Sequence, residues 1–173
     1  MDYLLHIAVL FCIYGALAVS LNLAAGCAGM VSVSHAAVFG IGAYAAALVA
    51  GHHGWAFVPS AVFAACAGAV SSVVVSVAAA RVKNDYFTLV TFAFQMIIVG
   101  LMNNLSNLTG GPIGMAGVPA PQVFGWACDR PADCAALGLI WLSIVALICG
   151  QFTRGSFGRA LTARGESLLT DVV

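Results

Sequence analysis

The sequence predicts an all-α membrane protein, a multi-span transmembrane helical bundle with about five membrane spans. Of its 173 residues, 62% are hydrophobic and only 7% are charged, whereas about 25% of residues are charged in a soluble domain. Five apolar runs approach or exceed the roughly 20 residues that a helix needs to cross a bilayer. Every Asp, Glu, Lys and Arg lies at a terminus or in a connection between these runs.

The predicted spans cover roughly residues 4–25, 34–50, 56–80, 86–105 and 135–152. The first run lacks the basic start and cleavage site of a signal peptide, so we expect it to be a retained span. A Gly-interrupted segment at 26–33 separates the first two spans. It is either a cytoplasmic turn or a helix break within the membrane, where irregular backbone must be buried in protein or line a polar cavity.

The basic residues predict the orientation of the spans. Five of the six fall in two clusters: Arg81 and Lys83, and Arg154, Arg159 and Arg164. The positive-inside rule places both clusters in the cytoplasm, and the two spans between them give the required parity. The long connection at 106–134 is then predicted to lie outside.

The first polar constellation surrounds the Gly-interrupted segment and contains Asn22, Ser32, Ser34 and His35. Serine is a good N-cap residue, and a helix N-terminus attracts carboxylates. A discontinuous helix can direct its N-terminus at an anionic substrate group in a transporter. The alternative is an ordinary turn with capping serines and a histidine at the membrane interface.

The second constellation begins in span four, where Thr88, Thr91 and Gln95 share nearly one helix face. A polar stripe within a span faces other helices or a cavity, so this one either joins helices or lines a passage. The stripe leads to Thr109, Gly110 and Gly111, in the stretch 106–119 that holds four glycines and two prolines. Such a stretch cannot continue a helix. It is either a plain exit turn or the external mouth of a passage.

Other kinds of chemistry find little support in the sequence. No buried acid pair, nucleophile with a base, or phosphate-binding Gly-Lys loop is present, so we expect no enzyme and no cofactor. No His/Cys cluster indicates a metal, and a net charge of zero gives no reason to expect a nucleic-acid partner. Cys128 and Cys134 in the outer connection either form a disulfide or remain two unpaired thiols.

Three blocks resemble the permease subunits of bacterial branched-chain amino-acid ABC importers. The first block runs from Ser20 to Tyr44. The second contains Asp85-Tyr86-Phe87, Asn103-Asn104 and residues 108–114. The third is Ser156-Phe157-Gly158-Arg159-Ala160-Leu161. They occur in the family's order and extend over nearly the whole chain.

The resemblance implies a non-catalytic permease in the bacterial inner membrane. Its implied partners are the lipid bilayer, a second related permease, cytoplasmic ATP-binding subunits and a periplasmic substrate-binding protein. The substrate passage would involve Asn22, Ser32, Ser34, His35, Thr88, Thr91, Gln95, Thr109, Gly110 and Gly111. The ATPase-coupling loop would contain Ser156, Phe157, Gly158, Arg159, Ala160, Leu161, Arg164 and Glu166.

Some features depart from this pattern. Met30, Ser34 and Met96 replace residues common in the family, and family members continue for more than a hundred residues beyond Val173. We therefore expect residues 1–173 to form a single transmembrane domain that is an N-terminal portion of a permease. Urea or short-chain amide permeases, and a truncated non-transporting structural subunit, are the alternatives. An intramembrane enzyme using His35 is a weaker third.

Overall fold

Five long helices, all apolar enough to cross a membrane, dominate the structure, a computed structural model. It describes residues 2–27, 32–79, 81–82, 84–123, 126–128, 130–155 and 158. The prediction of an all-α multi-span bundle is confirmed. The five spans are α1 (Asp2–Asn22), α2 (His35–His53), α3 (Phe57–Ala79), α4 (Asn84–Asn104) and α6 (Pro131–Arg154).

Shorter elements lie between the spans. A π-helical turn at Leu23–Cys27 follows α1, and the four-residue helix α5 (Ser106–Thr109) and a 3-10 turn (Gly111–Ile113) follow α4. Strands β1 (Gln122–Val123) and β2 (Trp126–Ala127) pair antiparallel, with Val123 opposite Trp126. These two-residue strands were not predicted from the sequence, and they leave the fold class unchanged.

Local sequence explains where several helices begin and end. Gly54 adopts the left-handed conformation that commonly ends a helix, with φ of 61°, directly after α2. Pro131 starts α6, where its missing N–H costs nothing. Asp133 lies in the first turn of α6, where its negative charge complements the helix dipole.

The chain divides into two compact units, residues 1–31 with 128–173, and residues 32–127. In the first unit, α1 packs against α6 through small residues. A Cβ at Gly138 would lie 3.1 Å from the Cys12 Cβ, and a Cβ at Gly15 would lie 3.4 Å from a Leu142 methyl. Residue numbers increase in the same direction along both helices, from Cys12 to Gly15 in α1 and from Gly138 to Leu142 in α6, so α1 and α6 are parallel.

In the second unit, α2 packs against both α3 and α4. A Cβ at Gly42 would lie 3.5 Å from the Ala64 carbonyl oxygen, and one at Gly68 would lie 3.9 Å from Val38. Residue numbers rise along α3 from Ala64 to Gly68 while those of the contacting α2 residues fall, so α2 and α3 are antiparallel. Val33 contacts Thr91, and Gly40 faces Met102, so α2 and α4 run in the same direction.

Large apolar side chains cover the outside of the helices, while small and polar ones are buried. Phe11 is 70% exposed and Ile97 is 66% exposed, whereas Ala37 and Thr91 are 4% and 0% exposed. In a soluble protein, large apolar side chains would be buried in the core and polar ones would be mostly exposed. In lipid, exposed apolar side chains are solvated, and small residues at the contacts let helix backbones approach closely.

Candidate functional site

Thr91 forms a buried polar junction between α4 and the turn that precedes α2. The backbone amide of Val33 donates a hydrogen bond to Thr91 Oγ1 at 3.3 Å. The Thr91 hydroxyl donates its own proton to the Thr88 carbonyl oxygen at 3.0 Å. The Thr91 hydroxyl proton is therefore committed to its own helix, while its oxygen fastens the start of α2 to α4.

Two serines lie at the same junction. The hydroxyl oxygens of Ser32 and Ser34 are 3.0 Å apart and share a hydrogen bond, and Ser34 is 3% exposed. Ser34 occupies the N-cap position of α2, but its φ and ψ are helical and its side chain makes no capping bond. The expectation of a capping serine is therefore wrong for Ser34, whose hydroxyl pairs with Ser32 instead.

Gln95 lies one helical turn after Thr91, on the same face of α4. Its side-chain carbonyl oxygen, Oε1, is buried and has no hydrogen-bond partner. It is the only such side-chain atom among the residues that the structure describes. Met102, two turns further along this face, contacts Gly40 of α2, so Gln95 lies between two points at which α4 meets the α2 side.

The predicted stripe lies on one helix, α4, but its members Thr88, Thr91 and Gln95 differ in exposure. Thr91 is fully buried, whereas Thr88 is exposed. α2 begins opposite Thr91 and runs towards higher residue numbers of α4, so Thr88 lies before its start. The predicted passage residues do not include Val33, which takes part through its backbone, or Gly40, which lies in the first family-like block.

Thr109 holds the glycine-rich stretch against the end of α4. It is 5% exposed, and its hydroxyl lies 2.5 Å from the Met102 carbonyl oxygen and 2.9 Å from that of Leu105. The Gly111 amide donates to Thr109 Oγ1 at 3.2 Å. The hydroxyl thus ties α5 and the following 3-10 turn to the last turns of α4.

Gly110 and Gly111 both have left-handed backbone conformations, with φ of 75° and 60°. A Cβ at Gly110 would overlap the carbonyl oxygen of Gly114, and one at Gly111 would lie 3.3 Å from the Asn103 carbonyl oxygen. Only glycine meets both requirements at position 110. The turn leaves Ile113 94% exposed at its tip.

The remaining predicted passage residues fall at different places. Asn22 is an exposed residue at the end of α1, in the other compact unit. A Cβ at Gly26 would lie 2.6 Å from its Oδ1 atom, one π-turn away. His35 is the first residue of α2 and is half-buried.

Of the predicted ATPase-coupling loop, the structure describes Gly158. It is buried, and a Cβ there would overlap the carbonyl oxygens of Phe152 and Thr153 at the end of α6. Ser156, Phe157, Arg159, Ala160, Leu161, Arg164 and Glu166 lie outside the described residues.

In the structure, no disulfide joins Cys128 and Cys134. The Cys134 Sγ donates a hydrogen bond to the carbonyl oxygen of Cys128 at 3.5 Å. In the part of the chain that the structure describes, no three His, Cys, Asp or Glu side chains form a group that could hold a metal ion.

Comparisons of the sequence with known proteins identify its family. The sequence profile of the family described as "Branched-chain amino acid transport system / permease component" matches residues 3–170. The Escherichia coli (strain K12) "high-affinity branched-chain amino acid transport system permease protein LivM" is 32% identical over 126 residues, which are 73% of this chain and 30% of that protein. The Salmonella typhimurium (strain LT2) protein of the same name is 31% identical over 124 residues, 72% of this chain and 29% of that protein. The chain thus spans about 30% of the length of these relatives. No solved structure gives a significant match.

Proposed function

Because this chain belongs to the permease-component family of branched-chain amino acid transport systems, we propose that it forms part of the membrane passage of an ABC importer. The proposed cargo is a branched-chain or similar small amino acid. Its five apolar helices make it a multi-pass membrane protein, and we assign it to the bacterial inner membrane.

The observation that carries this proposal is the polar face of α4, which lies within an apolar membrane span. Thr91 and Gln95 place a hydroxyl and an amide within a span, opposite the start of α2. Polar groups within spans are costly in lipid and mark substrate pathways or contacts between helices. The junction lies where α2 begins beside α4, about two turns after α4 starts, and an exposed helix start within a membrane protein can face an anionic group of a transported solute.

The proposed partners follow from the family. A second related permease would complete the passage, two cytoplasmic ATP-binding subunits would supply the free energy, and a periplasmic substrate-binding protein would deliver the cargo. Residues 156–166 would contact the ATPase, and the glycine-rich turn around Gly110 would form part of the outer mouth. The chain itself would bind and release the cargo without covalent chemistry.

Co-expression with these partners tests the proposal. We expect ATP-dependent uptake of radiolabelled leucine into membrane vesicles, and co-purification of the ATPase with the chain. Replacement of Phe157, Gly158 and Arg159 by alanine should abolish both, while the chain still inserts into the membrane.

The other outcomes identify the alternatives. Uptake of urea or acetamide without uptake of leucine would assign the chain to amide transport. A correctly inserted chain that binds no ATPase would be a structural subunit, and the proposal would fail.

A further inference from the structure

We infer that Gln95 is a specificity-determining residue whose side-chain carbonyl oxygen accepts a hydrogen bond from the α-ammonium group of the transported amino acid. This inference rests on the proposed transport function and names a chemical contact within it. It begins from Gln95 Oε1, which is buried and unpaired in a chain whose other buried side-chain polar atoms, where described, have partners.

No residue that the structure describes donates a hydrogen bond to Gln95 Oε1. The Thr91 hydroxyl, one helical turn away on the same face, donates its proton to the Thr88 carbonyl oxygen instead. A buried acceptor without a donor destabilises a protein, more so where no water is available. A buried group of this kind calls for an explanation, and a ligand that donates a hydrogen bond during function is the one that fits a transport passage.

The position of Gln95 suits a ligand that passes between helices. Four residues before it, Thr91 contacts Val33, and seven residues after it, Met102 contacts Gly40. On the α2 side, the same interval contains Ala37, which is 4% exposed. Ala37 is spaced four residues from Val33 and three from Gly40, so it shares their helix face, and its methyl group presents little bulk to a solute that approaches α4 from that side.

The chemistry of the amide selects an ammonium group. An ammonium offers three N–H donors, while a carboxylate and an aliphatic side chain offer none. A neutral amide oxygen also binds a cation less strongly than a carboxylate does. That difference matters in a passage, because a bound solute must also leave.

The first test separates a ligand contact from a contact between helices. Gln95→Leu removes the unpaired acceptor, so the purified variant should melt at a higher temperature than the parent chain. Its uptake of leucine in the assembled transporter should fall by about tenfold or more, because the site loses its ammonium acceptor. A lower melting temperature would show that the amide stabilises the bundle, and would overturn the inference.

Asn104→Leu provides a matched control on the same helix. The Asn104 amide is exposed and already donates to the Gly100 carbonyl oxygen at 2.8 Å. This variant should keep its uptake of leucine and should show no rise in melting temperature. Equal loss of uptake in both variants would mean that Gln95 has no special role.

The second test measures ligand recognition on the purified chain, without uptake. Leucine should raise the melting temperature of the parent chain, since a ligand that binds only the folded state stabilises it. 4-Methylpentanoate, which lacks the amino group, should not, and Gln95→Leu should abolish the response to leucine. If this response is present but ATP-driven uptake is not, the transport proposal fails and the ammonium contact stands. If leucine stabilises parent and variant equally, the ammonium contact is wrong.

Discussion

At the scale of single residues, two threonine hydroxyls fasten irregular backbone to α4. Thr91 accepts from the Val33 amide before α2, and Thr109 accepts from the Gly111 amide beyond the end of α4. The Thr91 hydroxyl donates its proton to the Thr88 carbonyl oxygen within α4, and the Thr109 hydroxyl donates to the Leu105 carbonyl oxygen just after α4. Backbone groups freed by the glycine-rich sequence are thereby satisfied within the chain, as the membrane interior requires.

Gly110 provides the sharpest prediction at this scale. Gly110→Ala should lower the free energy of unfolding by about 1–3 kcal/mol, because the left-handed backbone is strained for alanine. The new Cβ would also overlap the Gly114 carbonyl oxygen. Thermal unfolding in detergent measures the change, and uptake by the assembled transporter should fall with it while membrane insertion is retained.

Gly100→Ala is the control for Gly110→Ala. Gly100 lies within α4, and a Cβ there would have no other atom within 4 Å. Alanine is favoured over glycine in a helix by up to about 1 kcal/mol, so this variant should be unchanged or more stable. Equal destabilisation by the two substitutions would show that the turn does not depend on the conformation of Gly110.

At the scale of elements, the contact between α1 and α6 depends on the missing side chain of Gly138. Gly138→Ala should destabilise the chain by about 1–3 kcal/mol, because the added methyl group overpacks against the Cys12 Cβ. Cys12→Gly in the same chain returns that space, so the double variant should recover part of the loss. A double-mutant cycle of melting temperatures measures this coupling.

Gly150→Ala controls for the general effect of alanine in α6. A Cβ at Gly150 would have no other atom within 4 Å, so the substitution should be neutral or stabilising. Additive effects of Cys12→Gly and Gly138→Ala would contradict the proposed contact between the two helices.

The sequence predicts the elements unevenly, for physical reasons. The five spans are recognisable because each is long and apolar, and their ends are found within a few residues. The pairing of Val123 with Trp126 escapes prediction because two-residue strands leave no periodic pattern. The start of the π-helical turn after Asn22 also lies within an apolar run that looks like continuous helix.

The candidate site shows the same division. The spacing of Thr91 and Gln95 predicts that they share a face, which the helix geometry of α4 bears out. Thr91 has hydrogen-bond partners, whereas Gln95 Oε1 has none. This difference depends on where α2 begins beside α4, and no local sequence pattern encodes such a long-range contact. Likewise, glycine at 110 indicates a turn, but only the structure shows that Gly114 occupies the space of its missing Cβ.

At the scale of the whole molecule, the helix directions within each unit match successive crossings of a membrane. α1 and α6, the first and fifth spans, run the same way, and so do α2 and α4, the second and fourth. α3 runs opposite to α2. These directions are the ones expected if all five apolar helices cross the bilayer in turn.

Reporter fusions test the predicted orientation. Alkaline phosphatase, which is active only outside the cytoplasm, should be active when fused after Val118, and inactive when fused after Val82. Green fluorescent protein should be fluorescent at Val82 and dark at Val118, because the basic cluster at Arg81 and Lys83 holds that connection inside. The opposite pattern would invert the topology, and the same pattern at both sites would show that α4 does not cross the membrane.

Gly158 has a mechanical consequence for the end of α6. Since no Cβ fits between it and the carbonyl oxygens of Phe152 and Thr153, Gly158 meets the end of α6 backbone against backbone. At this contact no side chain lies between the backbone atoms that could change rotamer and absorb a displacement. A displacement of Gly158 towards α6 would therefore press directly on backbone atoms in the last turn of a membrane-spanning helix.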